Sequence, residues 1–187
     1  MTLALGDASD GELAALALAG RQAAYTELLA RHRVAVFRLA RATTSDDDAA
    51  LEVTQEAFIA AFAALKSYDS SRPFKTWMSR IALNKCRDWA RRRAVRRFFS
   101  FALPIEAADA ISDDSVPVDR QLTDKAELAR VRAAIAKLPS PIREPLVLRT
   151  IEGLTQAETA EILGISEKAV ETRLYRARTR LTEYLRG

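Results

Sequence analysis

The sequence predicts an all-α protein made of two small helical domains joined by a flexible acidic linker. Ala, Leu and Arg are abundant among the 187 residues, and no alternating run of β-branched residues indicates a strand. Apolar residues recur at helical spacing on both sides of a proline-containing acidic segment that lacks this periodicity. We therefore divide the chain into a domain over 1–97, a linker over 98–124 and a domain over 125–187.

Four helices are expected in the first domain. A short apolar helix over 12–18 should precede a longer one over 21–41. The segment 43–48 predicts the start of a third helix, because short polar side chains and acids favour helix N-termini. This third helix should turn Val53, Ala57, Ala60 and Ala64 toward the core. The fourth should begin near Pro73, since proline is tolerated at the first helical position, and continue to about residue 97.

The single cysteine and the single histidine limit the chemistry that the chain offers. Cys86 excludes an internal disulfide, and together with His32 alone it excludes a thiolate–imidazole zinc site. Its apolar neighbours favour a buried, inert thiol, whereas the two arginines beside His32 favour a surface position. The sequence has no glycine-rich phosphate loop and no nucleophile with a partnered base, so we predict no enzyme activity, metal or cofactor.

The second domain should open with a helix from about Asp124 that ends at the Pro139–Pro141 segment. Its first buried stripe should comprise Leu128, Val131, Ile135 and Leu138. Pro145 lacks an amide hydrogen, so the following helix is expected to start there.

Residues 155–170 carry the signature of a helix-turn-helix. Thr155 and Glu158 form a capping box, and Gly164 supplies the turn between the two helices. Ser166 caps the second helix, on which Val170, Leu174, Ala177 and Leu181 form one apolar stripe. The opposite face, where a DNA-reading helix needs polar side chains, carries Lys168, Glu171, Thr172, Tyr175, Arg176 and Thr179. The alternative is an ordinary helical hairpin with a solvated basic face.

Charge is distributed in blocks along the chain. Eight basic residues lie between Arg80 and Arg97 against one acid, and six acids lie between Ser100 and Asp124 against one arginine. Such blocks suit a nucleic-acid binder that also touches a cationic surface. On the fourth helix, four donors share one face at suitable spacing for phosphates: Arg80, Asn84, Arg87 and Arg91. The third helix carries a polar strip, Asp48, Glu52, Gln55 and Glu56, which suits a basic partner helix or is a solvated face.

Several motifs resemble one family of transcription proteins. Residues 55–58, 74–84, Asp88 and 91–93 resemble region two of extracytoplasmic-function sigma factors. Leu138-Pro139, residues 152–155 and residues 174–178 resemble their region four. The resemblance covers about residues 20–97 and 125–185. One departure is Glu52, where the family usually has Asp, and it leaves the charge in place.

The resemblance implies a dissociable subunit of bacterial RNA polymerase that selects and opens promoters. Region two would bind the clamp helices of the largest polymerase subunit through the polar strip and capture the −10 element as single strand. The loop 67–73 would form the pocket for a flipped −10 base, with Tyr68 as a stacking ring and Asp69 beside it. Phe74 and Trp77 fit the core better than base stacking. Region four would sit on the flap of the second-largest subunit and read the −35 duplex.

Other expectations concern location and regulation. Met1–Asp7 lacks a basic region followed by a long apolar core, and no apolar run approaches the length that spans a bilayer, so we expect a cytoplasmic protein without membrane insertion. The resemblance implies an anti-sigma factor as a further partner, with release on stress. The alternative function is a stand-alone helix-turn-helix regulator, against which the basic, tryptophan-bearing helix argues.

Overall fold

A computed structural model describes residues 5–102 and 120–186, and every regular element among them is a helix. In chain order the α-helices are α1 (Asp10–Leu18), α2 (Gln22–Thr44), α3 (Asp47–Ala63), α4 (Phe74–Ala102), α5 (Arg120–Lys137), α6 (Ser140–Thr150), α7 (Gln156–Leu163) and α8 (Glu167–Arg186). Short 3-10 turns lie at Leu5–Asp7 and Leu65–Ser67. The expected all-α class is confirmed, and most of the expected acidic linker, residues 103–119, lies outside the described residues.

The helices that border the acidic segment are longer than expected. Helix α4 continues to Ala102 and α5 begins at Arg120, so both reach into the stretch assigned to the linker. The boundary at 97 rested on the loss of apolar periodicity and on the prolines and acids that follow, yet α4 continues past it to Ala102. The division into domains at 97 and 125 stays a prediction.

Helices α1–α4 form an N-terminal unit, residues 5–102, in which α2 packs against the other three helices. Short polar caps set its helix starts: the Ser9 hydroxyl accepts from the Glu12 amide, and the Asp46 carboxylate accepts from the Ala49 amide at 2.9 Å. Ser45 ends α2 in the left-handed region with φ 58°. The sharp reversal between α2 and α3 therefore rests on a residue type that adopts this conformation less readily than glycine.

His32 is not the surface residue that its flanking arginines suggested. Its side chain is only 13% exposed, its Nε2 lies 2.8 Å from the Asp10 carboxylate, and its ring packs 4.9 Å from that of Phe74. Arg31 beside it donates to the Leu5 and Gly6 carbonyls of the N-terminal turn. Both side chains thus fasten α1 and the preceding turn to α2, an arrangement that depends on contacts more than twenty positions apart in sequence.

Helices α5–α8 form a C-terminal unit, residues 120–186, with a small core of its own. The capping box is formed as expected: the Thr155 hydroxyl accepts from the Glu158 amide, and the Glu158 carboxylate accepts from the Thr155 amide. Gly164, in the turn, has φ 65°. The Ser166 hydroxyl accepts from the Ala169 amide at 3.2 Å. The core contains Leu138, Leu146, Ala160, Val170, Leu174 and Ala177. The expected helix-turn-helix is therefore present, with the predicted caps and apolar stripe.

Three details of the expected packing are wrong. Ala64 is exposed just beyond the end of α3, and Leu128 is 47% exposed on α5, where Ala134 is buried instead. Pro145 lies inside α6, which begins at Ser140. The missing amide hydrogen of Pro145 forfeits one helical hydrogen bond, and burial of its apolar ring offsets that loss.

The two units pack directly against each other. Val147, Leu148, Leu154 and Ile162 of the C-terminal unit join the same apolar cluster as Phe74, Met78 and Leu83 of the N-terminal unit. Helices α6 and α7 thereby cover part of α2 and α4. We call this arrangement the closed form. It decides which of the predicted binding residues face solvent.

Candidate nucleic-acid and polymerase interfaces

The six polar residues expected on the DNA-reading face of α8 are all exposed. The −35 face comprises Lys168, Glu171, Thr172, Tyr175, Arg176 and Thr179, and the Tyr175 side chain is 73% exposed. The Lys168 ammonium donates to the Glu171 carboxylate at 2.8 Å, which raises the pKa of Lys168. Thr172 and Thr179 donate their hydroxyls to carbonyls of the preceding turn. The face therefore offers an exposed guanidinium at Arg176, a lysine paired with an acid, and several acceptors.

The opposite side of α8 fixes this face in place. Val170 and Ala177 are completely buried and Leu174 nearly so, against side chains of α6 and α7. The Gln156 amide donates to the Glu167 carbonyl at 3.1 Å and so links the first turns of α7 and α8. A recognition helix anchored by its buried side in this way presents its polar side chains in a defined orientation, as groove reading requires.

The four donors predicted along α4 share a face, but their surroundings differ. Arg80 and Arg91 are exposed, and Arg91 pairs with Asp88 one turn away. Arg87 makes a two-pronged ion pair with Glu144 of α6, with Nε–Oε1 at 3.0 Å and Nη2–Oε2 at 2.6 Å. The Asn84 side-chain oxygen accepts from Arg87 at 3.3 Å. In the closed form the centre of this stripe therefore holds a carboxylate.

The loop 67–73 borders a pocket of 350 Å³ that both units line. Tyr68 packs against the rings of Phe74 and Trp77, and its hydroxyl donates to the Arg72 carbonyl at 2.7 Å. Burial raises the pKa of Tyr68, whereas hydrogen bonds from Ser71 lower that of Asp69. The pocket is completed by Arg80 and Trp77 from α4 and by residues of α7.

The aromatic residues beside the pocket follow the sequence interpretation. Phe74 is 1% exposed and belongs to the core, and Trp77 is partly buried against the same cluster. Tyr68 therefore has a rigid aromatic support behind its ring. An aromatic ring held in this way suits stacking with an unpaired base.

The polar strip of α3 runs beside the basic end of α4. Asp48, Glu52 and Gln55 are exposed, while Glu56 is half-buried. Arg92 Nη2 lies 3.0 Å from Glu56 and 3.6 Å from Glu52, and the second Glu56 oxygen is buried without a hydrogen-bond partner among the described residues. Glu56 thus belongs partly to the packing of α3 on α4, and the free acidic character lies at the first three positions.

Sequence reasoning missed a set of polar residues at the boundary between the units. On the N-terminal side they are Arg38, Arg72, Lys75 and Thr76, and on the C-terminal side Glu152, Glu158 and Glu161, together with Glu144, which pairs with the predicted Arg87. Each partner lies more than fifty positions away from the other in sequence. The opposite signs of the two sets were visible in the sequence, but no local pattern paired them.

Residues 5–102 and 120–186 contain neither a cluster of metal-ligating side chains nor a membrane-crossing helix. No group of three or more His, Cys, Asp or Glu side chains is arranged to hold a metal ion. No helix in these ranges combines the length and apolar character needed to cross a membrane.

An exposed polar face on the second helix of a helix-turn-helix, together with a basic stripe beside an aromatic pocket, defines a helical protein of the nucleic-acid-binding class. Comparison with known proteins makes the assignment specific. The model for Sigma-70 region 2 matches residues 28–96, and the model for Sigma-70, region 4 matches residues 128–181. The chain belongs to the sigma-70 family of RNA polymerase sigma factors, within its extracytoplasmic-function group.

Individual relatives resemble nearly the whole chain. RNA polymerase sigma factor CnrH of Cupriavidus metallidurans is 41% identical over 95% of this chain and 94% of its own length. ECF RNA polymerase sigma factor SigM of Mycobacterium tuberculosis is 30% identical over 95% of this chain and 85% of its own. The solved structure of CnrH in complex with the cytosolic domain of CnrY superimposes with a TM-score of 0.69 at 36% identity, covering 94% and 96% of the two chains.

The family assignment fixes the general function. The protein is a sigma factor that binds core RNA polymerase and promoter DNA and directs promoter-specific initiation of transcription. The match to both regions, in the order predicted from the sequence, also decides against a stand-alone helix-turn-helix regulator.

Proposed function

We propose that three surfaces of the chain divide the work of promoter recognition. The polar strip of α3 docks on the clamp helices of the largest polymerase subunit, and the C-terminal unit sits on the flap of the second-largest. The loop 67–73 and the α4 stripe capture the −10 element as single strand. The −35 face of α8 reads duplex DNA. The protein does this in the cytoplasm, without catalysis of its own.

The observation that carries this proposal is the geometry of α8. Its six polar side chains all face solvent, while the alternate side of the helix is buried in the core of the C-terminal unit. Arg176 is an exposed guanidinium on this face and suits a two-pronged contact to guanine O6 and N7. Arg173 lies on the half-buried flank, where it suits a phosphate.

These two arginines provide the test. Arg176→Ala should relax preference at one base pair of the −35 element, by about 1–3 kcal/mol of discrimination. Arg173→Ala should weaken binding more evenly across sequences and reduce its salt dependence. Transcription by reconstituted holoenzyme from a randomised −35 library measures both effects.

A matched control lies on α5, where Arg132 is exposed on a helix other than α8. Arg132→Ala removes the same charge and should leave the selected sequences unchanged. The proposal for α8 fails if Arg176→Ala and Arg132→Ala select the same −35 sequences as the parent protein.

An anti-sigma factor is the proposed regulatory partner, with release on stress. The support comes from CnrH, whose solved structure is a complex with the cytosolic domain of CnrY. Co-purification of the tagged chain from cells, followed by mass spectrometry, should recover polymerase subunits and an inhibitory protein in separate fractions. Recovery of polymerase alone under all growth conditions would contradict this part of the proposal.

A further inference from the structure

The boundary between the two units pairs bases of the N-terminal unit with acids of the C-terminal unit. Arg87 meets Glu144 through two short contacts, and the Thr76 hydroxyl donates to Glu158 at 2.7 Å. Arg72 pairs with Glu161. The acids lie on α6 and α7, and the bases lie on α4 and the loop before it.

The most buried of these contacts falls on the proposed DNA-binding stripe. The Glu144 side chain is 8% exposed, and its two carboxylate oxygens accept from Nε and Nη2 of Arg87. A phosphate would use the same fork of donors with the same geometry. Glu144 and a DNA phosphate therefore cannot both bind the Nε and Nη2 donors of Arg87.

The pocket behind the loop 67–73 is covered from the same side. Glu161 and Ile162 of α7 line it together with Tyr68 and Trp77. A base entering beside Tyr68 would meet α7, and the adjoining Arg72 is already paired with Glu161. Carboxylates thus stand at two points along the proposed path of the strand.

The closed form also contains a group that favours separation. Both carboxylate oxygens of Glu152 are buried at this boundary with no hydrogen-bond partner among the described residues, and the nearest charged contact of Glu152 is Arg38 at 3.9 Å. Burying a carboxylate without hydrogen bonds is unfavourable, and separation of the units would return it to water. The apolar contacts and the ion pairs must outweigh this penalty for the units to stay together.

We propose that the C-terminal unit is an internal competitor for the −10 strand. In the closed form Glu144 takes the place of a phosphate on Arg87, and Glu161 closes the pocket beside Tyr68. The strand binds after the units separate, so closure keeps the free protein from binding single-stranded DNA. This inference rests on the proposed role of the loop 67–73 and α4 in binding the −10 strand.

The test compares single-strand binding by full-length variants without polymerase. The probe is a short fluorescent single-stranded oligonucleotide of randomised sequence, and binding is followed by fluorescence anisotropy. The double variant Glu144→Gln, Glu161→Gln removes two competing charges with little change of shape. We expect it to bind about tenfold more tightly than the parent protein, because hydrogen bonds to charged groups are lost from the closed form only.

Glu183→Gln is the matched control, since it neutralises an exposed acid at the far end of α8. It should bind like the parent protein. Thermal unfolding followed by circular dichroism verifies that each variant is folded. The inference is overturned if the double variant binds no more tightly than the parent, or if Glu183→Gln tightens binding equally, which would indicate general charge attraction.

A further variant separates this inference from the proposed function. Arg80→Ala removes an exposed donor of the stripe and should weaken strand binding by the double variant. If Arg80→Ala lowers transcription by holoenzyme while the double variant gains no affinity, competition is wrong and the −10 role stands. If Arg80→Ala changes neither strand binding nor transcription, the −10 role itself fails and the inference with it.

Discussion

The Lys168 ammonium lies 2.8 Å from the Glu171 carboxylate on the exposed side of α8. This pair answers a question raised by the sequence, namely how an acid is accommodated on a face expected to approach phosphates. Neutralisation by a neighbouring lysine reduces the repulsion, although an exposed pair of this kind contributes little to stability.

We therefore expect Glu171→Lys to tighten promoter binding overall and to change the preferred base at one position. The substitution removes an acid near the phosphates and frees Lys168 from its partner. Selection from a randomised −35 library measures the preference. If the selected sequence is unchanged, Glu171 is only a surface charge.

The polar strip of α3 yields a second prediction, and the structure changes which residue tests it best. Glu56→Lys would place a cation beside Arg92 and disturb the packing of α3 on α4. Glu52 is 55% exposed and Gln55 is exposed. The double variant Glu52→Lys, Gln55→Lys should weaken binding to core polymerase about tenfold or more, since like charges would face a basic partner helix.

Fluorescence anisotropy with labelled protein and core polymerase measures this affinity. Glu127→Lys, on an exposed position of α5, is the control for a reversed charge elsewhere. Unchanged affinity in the strip variant, with helix content retained, would remove the strip from the polymerase interface.

A third prediction concerns the dependence of the closed form on pH. Burial raises the pKa of Glu152 above its usual 4.5, and the opposing charges of Lys75 and Arg38 reduce the shift. Because the raised pKa belongs to the closed form, the stabilisation from protonated Glu152 is fully present below pH 4.5 and is lost as the pH rises through the raised value. The closed fraction should therefore fall as the pH rises above 4.5 and through the raised pKa of Glu152.

Förster transfer between dyes on the two units, attached at Lys66→Cys and Glu183→Cys, measures the closed fraction. In a Glu152→Gln background this decline should disappear, since the amide does not titrate. Glu158 does not contribute to this decline, because a hydrogen bond from the Thr155 amide and a further one from Thr76 lower its pKa below 4.5. An identical decline in the Glu152→Gln background would show that another group causes it.

The last prediction concerns Cys86. Burial raises the pKa of its thiol to about 12, and the side chain is fully enclosed by Ala40, Ala50, Val53 and Trp89. Since the thiolate is the reactive form, iodoacetamide should not modify the folded protein at neutral pH but should modify it rapidly in denaturant. Mass spectrometry of the alkylated chain measures this. Fast modification of the native protein would mean that α3 and α4 separate readily.

Local signals in the sequence were sufficient to predict those parts of the fold that depend on contacts between residues close together in the chain. The capping box at Thr155 and the turn at Gly164 were predicted because their hydrogen bonds join residues a few positions apart. The exposed −35 face followed from the same periodicity. Cys86 was placed correctly because its apolar neighbours share its helix.

Contacts between distant segments were not accessible in this way. His32 was assigned to the surface, since nothing near it indicates that Asp10 and Phe74 enclose it. The pairing of Arg87 with Glu144 spans 57 positions, and either residue alone is consistent with a solvated helix face. Such pairs depend on how whole helices pack, which the pattern of a single sequence leaves open.

Helix α4 has one further consequence, for the genetics of this protein. Its apolar side supplies Phe74, Met78 and Ala82 to the core, and its polar side holds the C-terminal unit through Thr76 and Arg87. At 29 residues it extends about 43 Å as one continuous rod. A screen for altered promoter choice among substitutions in this helix will therefore also return variants with altered folding or altered contact between the halves. A substitution in α4 that changes promoter choice therefore also bears on the packing of the core and on the contact between the two units.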